Sequence, residues 1–115
     1  MKGLIIKPYW ADLILNNEKT MELRGGRTKI RGTIGIIKSK TGQVYGEVDI
    51  IDCIPLSKEE FNQYRDKHKV TCTYEEIPYK TLYGWVLDNV KVYDKPIPYK
   101  HKQGCVIWVN IEEEK

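Results

Sequence analysis

Between Asn16 and Gly32 the chain reads NNEKTMELRGGRTKIRG, which gathers Lys19, Arg24, Arg27, Lys29 and Arg31 around Glu22 and a glycine pair. TMELR alternates polar and apolar residues, the period of a half-buried strand, and in a strand residues two apart share a face. Glu22 and Arg24 therefore project together, with Met21 and Leu23 on the other side facing a core. Lys19, just ahead of the strand, is free to swing towards Glu22. A carboxylate held between Lys19 and Arg24 aims their donors at one target, so the expected ligand is anionic or rich in acceptors. Arg27, Lys29 and Arg31 extend the positive stretch past the glycine turn, where they suit phosphate without reading base identity. A purely structural reading stands beside this one. The triplet also makes sense as an ion network pinning a helix to a sheet, and the later cations as a solvated face.

These residues need a scaffold, and the flanking patterns predict one. GLIIK reads as a short strand, and Pro8 then opens a helix, where a missing amide donor costs nothing. Trp10, Leu13 and Ile14 share that helix's apolar face, and Asn16–Asn17 stop it. GTIGIIKS and GQVYGEVDIIDCI read as strands of a hairpin across Ser39–Gly42. SKEEFNQYRDKHK starts with Ser57 and has Glu60 at the capping-box spacing, which predicts one further helix. YEEIPYKTLYG is a loop, YGWVLDNVKVYD a strand with Trp85, Leu87, Val90 and Val92 inward, KPIPYKHKQG a second loop, and CVIWVNI the last strand. About six strands with two helices close most economically into a small barrel, an α+β fold.

The chain has 115 residues, enough for a single core, and a net charge of +3 that leaves attraction to nucleic acid to a local patch. No apolar run approaches the roughly 18 residues of a membrane span, and no secretory leader is visible, so the expected setting is the cytoplasm. Cys53, Cys72 and Cys105 are odd in number and far apart, which favours buried thiols over disulfides, and no metal-ligand or cofactor framework is visible. His68, on a polar helix, and His101, in a basic loop, have no evident catalytic partner and are expected at the surface. The EEEK end is expected to be a solvated tail.

NEKTMELR resembles the Gly-x-Lys-x-x-Glu-x-Arg pattern of the ASCH (activating signal cointegrator homology) domain family, within the PUA-like barrel superfamily. Lys19, Glu22 and Arg24 match, and Asn17 stands at the glycine position. The likeness takes in IIKPYWADLIL, RTKIRG, the GEV strand and YGWVLDNV...KPIPYKHKQG in the family order. It implies one ASCH domain over residues 1–115, a PUA-like β-barrel, and a cleft near which the family places Tyr9, Trp10, Tyr45, Tyr83 and Trp85. A base could stack on such rings, while Glu47 could accept from an exocyclic amine or transfer a proton.

The resemblance leaves the activity open. The leading reading is a binder of single-stranded RNA or a nucleotide through Lys19, Glu22, Arg24, Arg27, Lys29, Tyr45, Tyr83 and Trp85. The alternative is a hydrolase on RNA or on a modified nucleoside such as acetylcytidine, with Lys19, Glu22 and Glu47 as candidate catalytic groups. Relatives with the acetylcytidine activity carry a threonine three residues after the lysine. Here that place holds Glu22, and Thr20 lies next to Lys19 instead. A third reading is a protein-interaction module whose basic loop meets an acidic partner.

Overall fold

The computed structural model describes residues 1–111; the acidic end at 112–115 lies outside the described residues. Strands β1 (Lys2–Ile6), β2 (Met21–Arg24), β3 (Gly32–Lys38), β4 (Gln43–Pro55), β5 (Tyr83–Pro98) and β6 (Trp108–Asn110) form one sheet in the order β2-β5-β4-β3-β1-β6. Neighbours are antiparallel except β1 and β3, whose parallel pairing is made possible by the long connection through helix α1 (Pro8–Leu15) and β2. Register shifts at Val44/Gly46, Glu47/Asp49 and Ile50/Asp52 interrupt the β4–β5 ladder, and such bulges bend a sheet. The result is an α+β half-barrel with short helices.

Apolar residues are buried on both sides of this sheet. On the concave side Leu4, Ile6, Ile34, Ile36, Val48, Ile50, Trp85 and Leu87 pack with Ala11, Ile14 and Leu15 of α1, so the helix plugs the half-barrel. Its buried face is Ala11–Ile14–Leu15; Trp10 and Leu13, expected there, are half-buried. On the other side Met21, Leu23 and Leu82 meet Leu56 and Phe61 beneath helices α2 (Lys58–Gln63) and α3 (Arg65–His68). A third cluster, Ile37, Val44 and Val109, packs with Ile5 and Tyr93.

The capping box is present as read: Glu60 N–H donates to Ser57 Oγ (3.2 Å) and Ser57 N–H to Glu60 Oε1 (3.1 Å). The single helix expected to follow is instead two, separated at Tyr64 (φ −96°, ψ 19°). KPIP is strand and not loop, because Val44 and Gln43 pair with Ile97 and Pro98 as β5 runs on. Val92, expected inward, is exposed. The three cysteines are free and half-buried.

Among the described residues no backbone ladder joins β2 to β1 or β6. Side chains bridge that seam: Arg24 Nη2 donates to Ile5 O (3.3 Å), and the Trp85 and Trp108 rings stack with centroids 5.8 Å apart and planes 11° apart.

Candidate functional site

The site is built from the turn that follows α1. Asn17 takes a left-handed conformation (φ 60°), and the Glu18 and Lys19 amides both donate to Leu13 O (2.9 and 3.0 Å). This geometry suits glycine best and asparagine next, which accounts for an asparagine at the motif's glycine position. The reversal drives Lys19 into the protein, where it is 1% exposed. Its Nζ donates to His68 O (2.5 Å), lies 3.6 Å from Glu22 Oε1 and sits 4.6 Å from the centroid of the Trp10 ring. Glu22 Oε2 accepts from Arg24 Nε (3.0 Å) and Nη2 (2.8 Å). Met21 and Leu23 face the helical layer, whereas Glu22, paired in register with Trp85, and Arg24 point to the concave side. The shared face of Glu22 and Arg24 is thus as read, but their side is the interior of the half-barrel.

Arg24 is locked along one edge only. Nε and Nη2 are spent on Glu22 and Ile5, while Nη1 has no acceptor among the described residues. No buried side-chain nitrogen or oxygen among them lacks a partner, so Nη1 reaches the surface. Burial holds the Lys19 ammonium below the usual lysine value; Glu22 opposes that shift and Arg24 adds to it. Lys19 thus ties α3 to β2 and anchors the carboxylate that aims Arg24.

His68 is a correction to the sequence reading: it is fully buried, not at the surface. Its ring stacks on Phe61 (4.7 Å, 14°), Nδ1 accepts from Val70 N–H (3.0 Å), and Nε2 then donates to Phe61 O (2.7 Å). Helical periodicity could not have placed it, because the chain breaks at Tyr64 and puts Phe61 and His68 on two different helices. Burial lowers its pKa from the usual 6.5; the Phe61 carbonyl opposes this, and Lys19 and Arg65 reinforce it. Below about pH 6.5 the unfolded chain takes up a proton that native His68 refuses, so stability is lost as the pH is lowered, by up to ~1.4 kcal/mol per unit. Urea midpoints measured from pH 7.5 down to the His68 pKa should show this slope, and His68→Gln should flatten it. An unchanged slope in the variant would assign the effect to other groups.

The remaining candidates fall into three places. Arg27 is exposed, with its guanidinium 5.6 Å from the centroid of the half-buried Tyr83 ring, and Lys29 is exposed beside it. Trp85 is 3% exposed, with Nε1 donating to Gly26 O (3.0 Å), so it forms a wall behind the glycine turn. Tyr45 lies at the edge of α1, under Lys38 Nζ (4.2 Å), which also pairs with Asp12 (2.6 Å). Glu47 is on the opposite face of the sheet from the triplet. Its neighbour Val48 belongs to the concave core, whereas Glu47 accepts from Tyr93 O–H beside the Ile37–Val44–Val109 cluster. The structure therefore brings Lys19, Glu22 and Arg24 together, sets Arg27 and Tyr83 as a pair beyond the turn, and leaves Glu47 apart.

The ASCH domain family model matches residues 4–112. The chain belongs to the ASCH domain family. Solved structures agree on the fold. ASCH from Zymomonas mobilis superposes with a TM-score of 0.70 at 14% identity, over 84% of this chain and 72% of that one. A serine-to-alanine mutant of the Zymomonas mobilis ASCH gives 0.73 at 13% identity, over 97% of this chain and 88% of that one. No curated protein matches the sequence. Among the described residues of this ASCH domain no helix is long and apolar enough to cross a membrane.

Proposed function

We propose that this ASCH domain binds single-stranded RNA or a nucleotide at the seam between β2 and β1, in a cytosolic setting that suits three unpaired thiols. The observation that carries the reading is the Arg24 guanidinium, held on one edge by Glu22 and Ile5 and open on the other. A fork oriented in advance loses little freedom on meeting a phosphate or a carbonyl oxygen. Lys19 is a positioning residue, since its buried ammonium is spent on His68, Glu22 and Trp10. Arg27 and Lys29 add exposed charge next to the Tyr83 ring, a pairing of cation and aromatic face that suits a strand with unstacked bases.

Three or four phosphate contacts predict a log–log salt slope of about −2 to −3, a loss of roughly 20- to 50-fold in affinity between about 50 and 200 mM salt. Replacing Arg27 and Lys29 together by alanine should reduce the slope by about 1 to 1.5 and leave the fold intact, because both side chains are exposed. Fluorescence anisotropy with a labelled oligouridylate checks both. Absence of binding at low salt overturns the reading, and turnover of acetylcytidine in that case would favour the hydrolase; affinity for an acidic peptide alone would favour the interaction module.

A further inference from the structure

A second feature adjoins the glycine turn. A concavity of about 300 Å³ is lined by Lys58, Tyr74, Glu75, Ile77, Tyr79, Lys80 and Leu82, at the lower end of the size range of small-molecule sites. Half-buried Ile77 supplies apolar surface over the buried Leu82, while Tyr79 is 45% exposed. Lys58 lies 3.2 Å from Glu75, whereas Lys80 has no acidic partner among the described residues. The rim is therefore net positive.

Its position ties it to Arg24. Tyr79 rests on Gly25, the residue after Arg24, so closely that a Cβ there would come within 2.5 Å of the ring. From the other side Trp85 Nε1 holds Gly26 O at 3.0 Å. The turn is clamped between a buried tryptophan and an exposed tyrosine, with Arg24 before it and the Arg27–Tyr83 pair after it. A flat ring, an apolar wall and an unneutralised ammonium at the rim are what an unpaired base and its phosphate require.

We propose that this concavity takes one unpaired base of the bound RNA strand, stacked on Tyr79, with the adjoining phosphate at Lys80. The proposal rests on the RNA-binding reading above and adds a second point of contact to it. Glu75, beside Lys58 at the rim, is an acceptor for the exocyclic amine of a base that has one.

The test is anisotropy with a fluorescein-labelled oligouridylate over a salt series, comparing the wild type with Tyr79→Ala, Tyr79→Phe and Lys80→Ala. Tyr79→Ala should weaken binding roughly 5- to 150-fold at every salt concentration with the slope unchanged, because stacking releases no counterions. Tyr79→Phe keeps the ring and should stay within about twofold of the wild type. Lys80→Ala should lower the slope by roughly 0.7. If Tyr79→Ala fails to fold, Lys80→Ala, an exposed substitution, decides alone, and an unchanged slope overturns the proposal. Salt-dependent wild-type binding that a folded Tyr79→Ala leaves intact overturns the base site, whatever Lys80→Ala does, and leaves the Arg24 reading standing. If the wild type does not bind at low salt, both fall.

Discussion

Replacing Glu22 by glutamine is expected to destabilise the fold by about 3–5 kcal/mol, the cost of leaving a buried charge without its partner. Domains of this size are stable by only about 5–15 kcal/mol in total, so the melting temperature should fall by roughly 10–20 °C. Glutamine keeps the shape and can still accept from Arg24, which confines the loss to the missing negative charge beside Lys19, 3.6 Å away. The sign with pH follows from the cation. Burial already lowers the Lys19 pKa, and Glu22 is what opposes that. Without Glu22 the pKa falls further, and the penalty applies while the unfolded chain holds a proton that the native one resists. The gap in stability between wild type and variant should therefore narrow as the pH rises towards the free-lysine value of about 10.5. Chemical denaturation across that range is the measurement. A loss below about 1 kcal/mol, or one independent of pH, would show that Lys19 does not depend on Glu22.

Trp85→Ala should cost a comparable amount, about 3–5 kcal/mol, because a large ring leaves the concave core. Three contacts go with it: the stack on Trp108 across the seam, the bond to Gly26 O, and the ring over which the Arg24 guanidinium sits at 5.6 Å. Trp85→Phe keeps an aromatic ring and loses the indole donor, so it should cost less, about 1–3 kcal/mol. The seam can be observed through the Arg24 Nε–H resonance, protected in the wild type by Glu22. It should exchange much faster in Trp85→Ala than in Trp85→Phe. Equal protection in both would mean that Arg24 is held by Glu22 and Ile5 alone.

Much of this was legible in the residues themselves. Pro8 opening α1, the reciprocal Ser57–Glu60 cap and the common face of Glu22 and Arg24 are local rules, settled by a missing donor, a spacing of three and a period of two. The family motif was readable for the same reason, since it is short and contiguous. Alternation says which residues share a face but not what each face meets. Where apolar packing covers both sides of a sheet, as it does around β2, Met21 and Leu23 can be buried against helices while Glu22 and Arg24 line the principal core.

The sequence alone determined the order of the six strands, the opening of α1, the motif and the identity of its three charged groups. It did not determine the helix break at Tyr64 or the run of β5 through KPIP, which pairing with β4 decides. Tertiary structure decided that Lys19 is buried on the carbonyl of His68, forty-nine residues away, that His68 is interior, that Glu47 lies behind the sheet with Tyr93, and that Tyr79 closes over Gly25. Each of these depends on the bending of one sheet and on which layers cover its two sides. Those are contacts between distant segments, and a period of two or 3.6 residues carries no information about them.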